Sequence, residues 1–192
     1  MSRFIKTTFA VGAVIGLIGA DSALAQQTRQ PTVQTRTQAI VASFNKSKRG
    51  VKQKYGVLVD KYKEVRSEPA VRANVRDYAG VYEVQGLGFS LDLRVDSNGN
   101  IAATGYEPVD EDGTIRRRFA LRNAQIQGAL FTATKVYASG ATEPFEGVFI
   151  NRTSFESPTD RGVTTFGLGV IRSSRLVVNG MSIDRVFYER KN

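Results

Sequence analysis

Gly88-Phe-Ser-Leu-Asp-Leu-Arg-Val-Asp96, followed by Ser97-Asn98-Gly99-Asn100 and a second run over residues 101–107, decides the fold. Phe89, Leu91, Leu93 and Val95 alternate with Ser90, Asp92, Arg94 and Asp96. A period of two marks a strand with one buried face. The connection sets the register. A two-residue turn at Asn98-Gly99 would put Val95 opposite Ala102. A three-residue loop with Gly99 left-handed puts Val95 opposite Ile101 and Leu93 opposite Ala103. Asp at the first position and Gly at the fourth suit a type I turn with a bulge, and that register puts Ile101 on the apolar face, so it is the one expected. Asp-x-Asn-Gly also occurs in calcium loops, but the other ligands and the closing Glu are missing here.

Working outward, the C-terminal part divides into short β-like runs separated by turn residues: 80–84, the two hairpin strands, 114–127, 129–137, 145–154, 163–171, 176–178 and 181–189. No helical pattern interrupts them. The expectation is a mainly β fold, an antiparallel eight-stranded up-and-down barrel over residues 76–190, closed so that no strand edge is left open.

Upstream the character differs. Residues 1–25 read as a secretory signal: Arg3 and Lys6, an apolar core over 9–20, and Ala23-Leu24-Ala25 as the cleavage pattern. A bacterial periplasmic or secreted protein is expected. Residues 26–37 read as a flexible Gln/Thr-rich leader. Residues 38–68 read as a basic amphipathic helical segment ending near Pro69. Ile40, Phe44, Val51, Tyr55, Leu58, Tyr62 and Val65 fall on one stripe at steps of three, four and seven. The formal net charge of +9 sits here: residues 26–76 hold 12 Lys/Arg against three acidic residues. The stripe could pack on the barrel, mediate self-association, or lie on an anionic membrane surface. Nucleic acid is not expected, since no recognition motif is present.

The barrel resembles the lipocalin-like (calycin) family on two features. Gly80-Val81-Tyr82 stands where that family has Gly-x-Trp, and Arg185 lies between Ile183 and Phe187 near the end. The resemblance implies that a late arginine, Arg185, covers Tyr82 and closes the barrel base, and that the barrel holds a small apolar ligand.

The chain has no Cys and no His. That excludes disulfides, Ser-His-Asp triads, thiol nucleophiles and the usual zinc or haem ligation. No enzymatic activity, cofactor or metal is expected. Asp110-Glu111-Asp112 reads as a solvated turn. On the strand over 114–127, Arg116, Arg118 and Arg122 share one face, while Arg117 shares the other with Phe119 and Leu121. Arg117 would then either meet a ligand carboxylate or reach water at the rim. The inward positions expected to line a cavity are Phe89, Leu91, Leu93, Arg117, Phe119, Leu121, Phe145, Phe149 and Phe187. A barrel of eight strands can hold one small ligand or be filled by its own side chains.

Overall fold

The computed structural model describes residues 32–54, 64–84, 86–110, 113–172, 176–178, 181–183 and 186–192. The chain runs α1 (Val33–Lys54), β1 (Glu64–Pro69), a 3-10 turn (Val75–Tyr78), β2 (Gly80–Glu83), β3 (Ser90–Val95), β4 (Ile101–Pro108), β5 (Arg116–Gln127), β6 (Leu130–Tyr137), β7 (Thr142–Phe155), β8 (Val163–Arg172), β9 (Leu176–Val178), β10 (Met181–Ile183) and β11 (Val186–Arg190). Strands β2 to β8 pair each with the next, all antiparallel, and β11 joins β8 to β2, which closes an eight-stranded up-and-down barrel. β9 and β10 form a separate hairpin. β1 is an additional strand. It pairs with Ile150–Phe155 of β7, beyond the point where β6 stops at Val148.

The deciding hairpin has the expected register: Val95 pairs with Ile101 and Leu93 with Ala103. The turn is held by Gly99 N–H to Asp96 O at 3.2 Å and Asp96 N–H to Asn100 O at 3.0 Å. Asp96 also accepts from the Asn100 side-chain amide at 2.7 Å and from the Asn100 and Asn98 backbone amides at 2.8 Å each, and these bonds, the side-chain one foremost, hold its carboxyl below the usual range. Gly99 has φ 82°, and nothing lies within 4 Å of where a Cβ would sit. Gly99→Ala therefore isolates the backbone term. It is expected to cost about 1–2 kcal/mol by urea denaturation, and Gly99→Asn less. Equal stability of Ala and Gly at this position would contradict the left-handed turn.

The helical segment differs from expectation at both ends. It begins at Val33, inside the stretch read as a leader, because Thr32 caps it: its Oγ1 accepts the Thr35 amide at 3.3 Å. At the other end residues 64–68 are strand, not helix, and Val65 belongs to β1. Glu-Val-Arg-Ser-Glu-Pro has little intrinsic strand preference, but pairing with β7 overrides that. Tyr55, Leu58 and Tyr62 lie outside the described residues, as do the signal and residues 26–31 of the leader.

The buried side of α1 is Thr37, Val41 and Phe44, with Ile40 beside them. It packs on the outer wall of the barrel, where Phe44 faces Phe187 with ring centroids 6.5 Å apart. Glycines make the approach possible. A Cβ on Gly167 would meet Phe187 Cζ at 2.6 Å, and one on Gly169 would meet Ile150 Cδ1 at 3.3 Å. Phe187 is thus a correction. β11 turns Val186 and Tyr188 inward, opposite Val170 and Leu168, so Phe187 points out beneath the helix and lines no interior.

Candidate functional site

The other expected cavity positions do face inward. Phe89, Leu91, Leu93, Phe119, Leu121, Phe145 and Phe149 are all buried. They meet one another rather than an opening. Phe149 touches Tyr78 at 4.3 Å and Phe131 at 5.7 Å between centroids, and Phe131 reaches Phe145 at 5.7 Å. Aromatic pairs at these separations are in contact. At the level of these rings the barrel is filled by its own side chains.

At one end the filling is charged. Glu107 on β4 is 1 % exposed and Lys135 on β6 is wholly buried, with Lys135 Nζ to Glu107 Oε2 at 2.6 Å. Arg117 donates to Glu107 Oε1 from Nε at 3.1 Å and Nη2 at 2.5 Å, while its own side chain is 46 % exposed. Arg117 therefore points inward at the rim, but its carboxylate partner belongs to the protein. The Tyr137 hydroxyl lies 2.9 Å from Glu107 Oε1 and 3.0 Å from Glu143 Oε2, and donates its one proton to either. The Lys135 ammonium sits 4.6 Å from the Phe119 ring centroid. Burial pushes the Lys135 pKa down and Glu107 pulls it only partly back. The network ties β4, β5, β6 and β7 together. No sequence expectation named Glu107 or Lys135. The signal was there: Lys135 shares the period-two phase of Phe131, Ala133 and Tyr137, and Glu107 that of Ala103 and Gly105.

The opposite closure is built from tyrosines. The Tyr82 hydroxyl donates to the carbonyl of Tyr78. The Tyr78 hydroxyl accepts from the Arg72 amide at 2.8 Å and donates to Gly128 O at 2.6 Å, so the segment before β2 is fastened across the barrel to the β5–β6 turn. Arg185 lies outside the described residues. Among the described residues an arginine beside Tyr82 is Arg190, its register partner on β11, which donates to Asp77 O at 3.0 Å and stacks 5.7 Å from the Phe166 ring.

No protein-family model, no curated protein and no solved structure matches this chain. The closed antiparallel barrel is consistent with a lipocalin-like fold. Its residues carry the functional argument alone.

Outside the barrel, the first turns of α1 and the barrel wall enclose a cleft of about 660 Å³. Val33, Gln34 and Thr37 form one side, Pro69 and Val71 the other, and Gly128 the floor. The Thr37 hydroxyl is buried and has no hydrogen-bond partner among the described residues. A buried hydroxyl left in that state costs about 1–3 kcal/mol, which a ligand acceptor or donor would recover. The Asp110 loop offers less: its carboxylate accepts from Thr114 Oγ1 and from the Ile115 amide at 3.1 Å, so it is consumed by its own turn. Among the described residues no group of acidic side chains is placed to hold a metal, and no helix is long and apolar enough to cross a membrane.

Proposed function

We propose that this is an exported, non-enzymatic β-barrel protein that binds a small amphipathic molecule. The site is the cleft between α1 and the barrel wall, not the barrel interior. The carrying observation is the cleft itself. Its volume of about 660 Å³ falls inside the range of ligand pockets, about 300–1,000 Å³. Its walls are apolar at Val33, Pro69 and Val71, while Gln34, Gln38, Gln127, the Glu68 carboxylate and the Thr37 hydroxyl supply polar groups that orient the head of an amphipathic guest. The barrel then forms one wall of the site and the first turns of α1 the other.

A second reading keeps the filled interior in view. The tightly packed rings and the helix strapped to the wall also suit a solid scaffold that takes part in envelope interactions through its surface. Native mass spectrometry separates the two. Protein purified from the cell envelope is expected to carry a small molecule. Gln34→Trp/Val71→Trp, which fills the cleft from two solvent-exposed positions, is expected to lose it with an unchanged far-UV spectrum. Retention of the molecule by the double variant would move the site elsewhere. A bare wild-type protein would favour the scaffold.

A further inference from the structure

We propose that the outer face of β4 and β5 is a docking track for a linear phosphodiester polymer, gripped through its backbone. The row consists of Arg116, Arg118 and Arg122, with Tyr106 beside them. Phe119 and Leu121 point into the barrel, so the even positions of β5 up to Arg122 point out, and all three arginines are exposed. Tyr106 is the register partner of Arg118, is 42 % exposed, and lies 5.6 Å from the Arg116 guanidinium. At about 3.4 Å per residue, the row puts positive charges roughly 7 Å and 14 Å apart and spans about 20 Å.

These three arginines share one exposed face, and among the described residues none has an acidic partner. Several other arginines are committed. Arg94 pairs with Asp92 at 2.7 Å, Arg117 with Glu107 at 2.5 Å, and Arg36 of the helix with Glu146 at 2.7 Å. Arg76 and Arg190 hold backbone carbonyls. Among the described residues no carboxylate pairs with Arg116, Arg118 or Arg122, and the nearby Asp110 carboxylate is turned onto Thr114 and Ile115. Three unneutralised like charges on one strand repel each other, and a repeating anion relieves that. Guanidinium forks match phosphate oxygens with two donors each. The shape selects a chain over a plane. A single line of charge on a convex wall touches a flat bilayer at few points, whereas an extended polymer can follow it. Tyr106 gives that polymer an apolar ledge between two charges.

The test uses the full-length protein and three probes: an abasic oligodeoxynucleotide, which has phosphodiesters but no bases, a thymidine oligonucleotide of equal length, and vesicles containing anionic phospholipid. Binding of the abasic oligomer is expected, with strong salt dependence. Arg116→Gln/Arg118→Gln/Arg122→Gln is expected to reduce the slope of log K against log salt by about two, at roughly 0.7 per lost single-strand contact. Arg94→Gln, already neutralised by Asp92, is expected to leave the slope unchanged. The substituted side chains are exposed, so melting temperature serves as the folding control. Unaltered binding by the triple variant overturns the proposal. So does binding of the vesicles alone, or a large preference for the thymidine oligomer, which would mean that bases rather than backbone are read.

Discussion

Glu107→Gln is expected to lower the free energy of unfolding by about 3–5 kcal/mol, the usual penalty for removing one partner of a buried ion pair. The reason is what stays behind. Lys135 is fully enclosed, and the Glu107 carboxylate 2.6 Å from its ammonium loses its charge. Tyr137 keeps Glu143 as an acceptor at 3.0 Å, and Arg117 reaches water from the rim, so the loss concentrates on the lysine. A pH dependence follows. The folded pKa of Lys135 is already depressed by burial, and without Glu107 only the weaker pull of the Glu143 charge is left to oppose that. The unfolded lysine then holds its proton over a range where the folded one does not. The variant's stability therefore rises with pH over the range just below about 10.4, the unfolded lysine value. Glu107→Leu/Lys135→Met removes both charges. Exchanging a buried pair for packed apolar groups is often neutral or stabilising by about 1–4 kcal/mol, so the double variant should recover most of the stability. Urea denaturation of the three proteins decides it. A double variant as weak as Glu107→Gln would mean that the carboxylate acts through Arg117 and Tyr137 instead.

The hairpin at residues 88–107 was legible because two local signals, period-two alternation and the Asp-x-x-Gly turn, agree. So was the face of Arg116, Arg118 and Arg122 opposite that of Arg117, which needs only the strand period. Beyond Arg122 that period breaks. Asn123, at φ 53°, sits in a bulge that shifts the register before Gln125 and moves the inward phase to Ala124 and Ile126.

The misses have a common physical cause, which is pairing between elements distant in sequence. β1 forms because β7 extends past β6 and offers an open edge, not because residues 64–69 favour a strand. Phe187 was assigned to the wrong face because its neighbours' parity is fixed by pairing with β8 rather than by its own flanks. The same register sets Arg190 beside Tyr82, a neighbour that no local pattern announces. The start of α1 was missed for a local reason. Thr32 was read as part of a polar leader when it is a cap, and the seam Thr37, Val41, Phe44 lies beside the stripe drawn from Ile40. The cleft depends on where that first turn lies against Pro69 and Gly128, so no single stretch of sequence could show it.

Alkali should unfold this protein steeply. Tyr78, Tyr82 and Tyr188 are each buried to within 1 % of completely, and desolvation raises the pKa of all three above the ordinary value of 10. For Tyr82 the nearby Arg190 opposes this without reversing it, and for Tyr188 the Glu107 charge adds to it. The folded chain therefore keeps three protons that the unfolded chain releases from about pH 10 upward, and stability falls as pH rises through that point. Each retained proton contributes about 1.4 kcal/mol per pH unit, so the full slope approaches about 4 kcal/mol per unit. Lys135 works the other way, but only up to the unfolded lysine pKa. Against a domain stability of about 5–15 kcal/mol, that slope exhausts the fold within a few pH units above 10. Phenolate absorbance and far-UV circular dichroism, followed together, should show these three tyrosines ionising with loss of structure rather than before it. Tyr188→Phe should remove about one third of the slope. If that variant titrates like the wild type, or if all seven tyrosines ionise near pH 10 with the barrel intact, then burial of these hydroxyls does not set the alkaline limit of the fold.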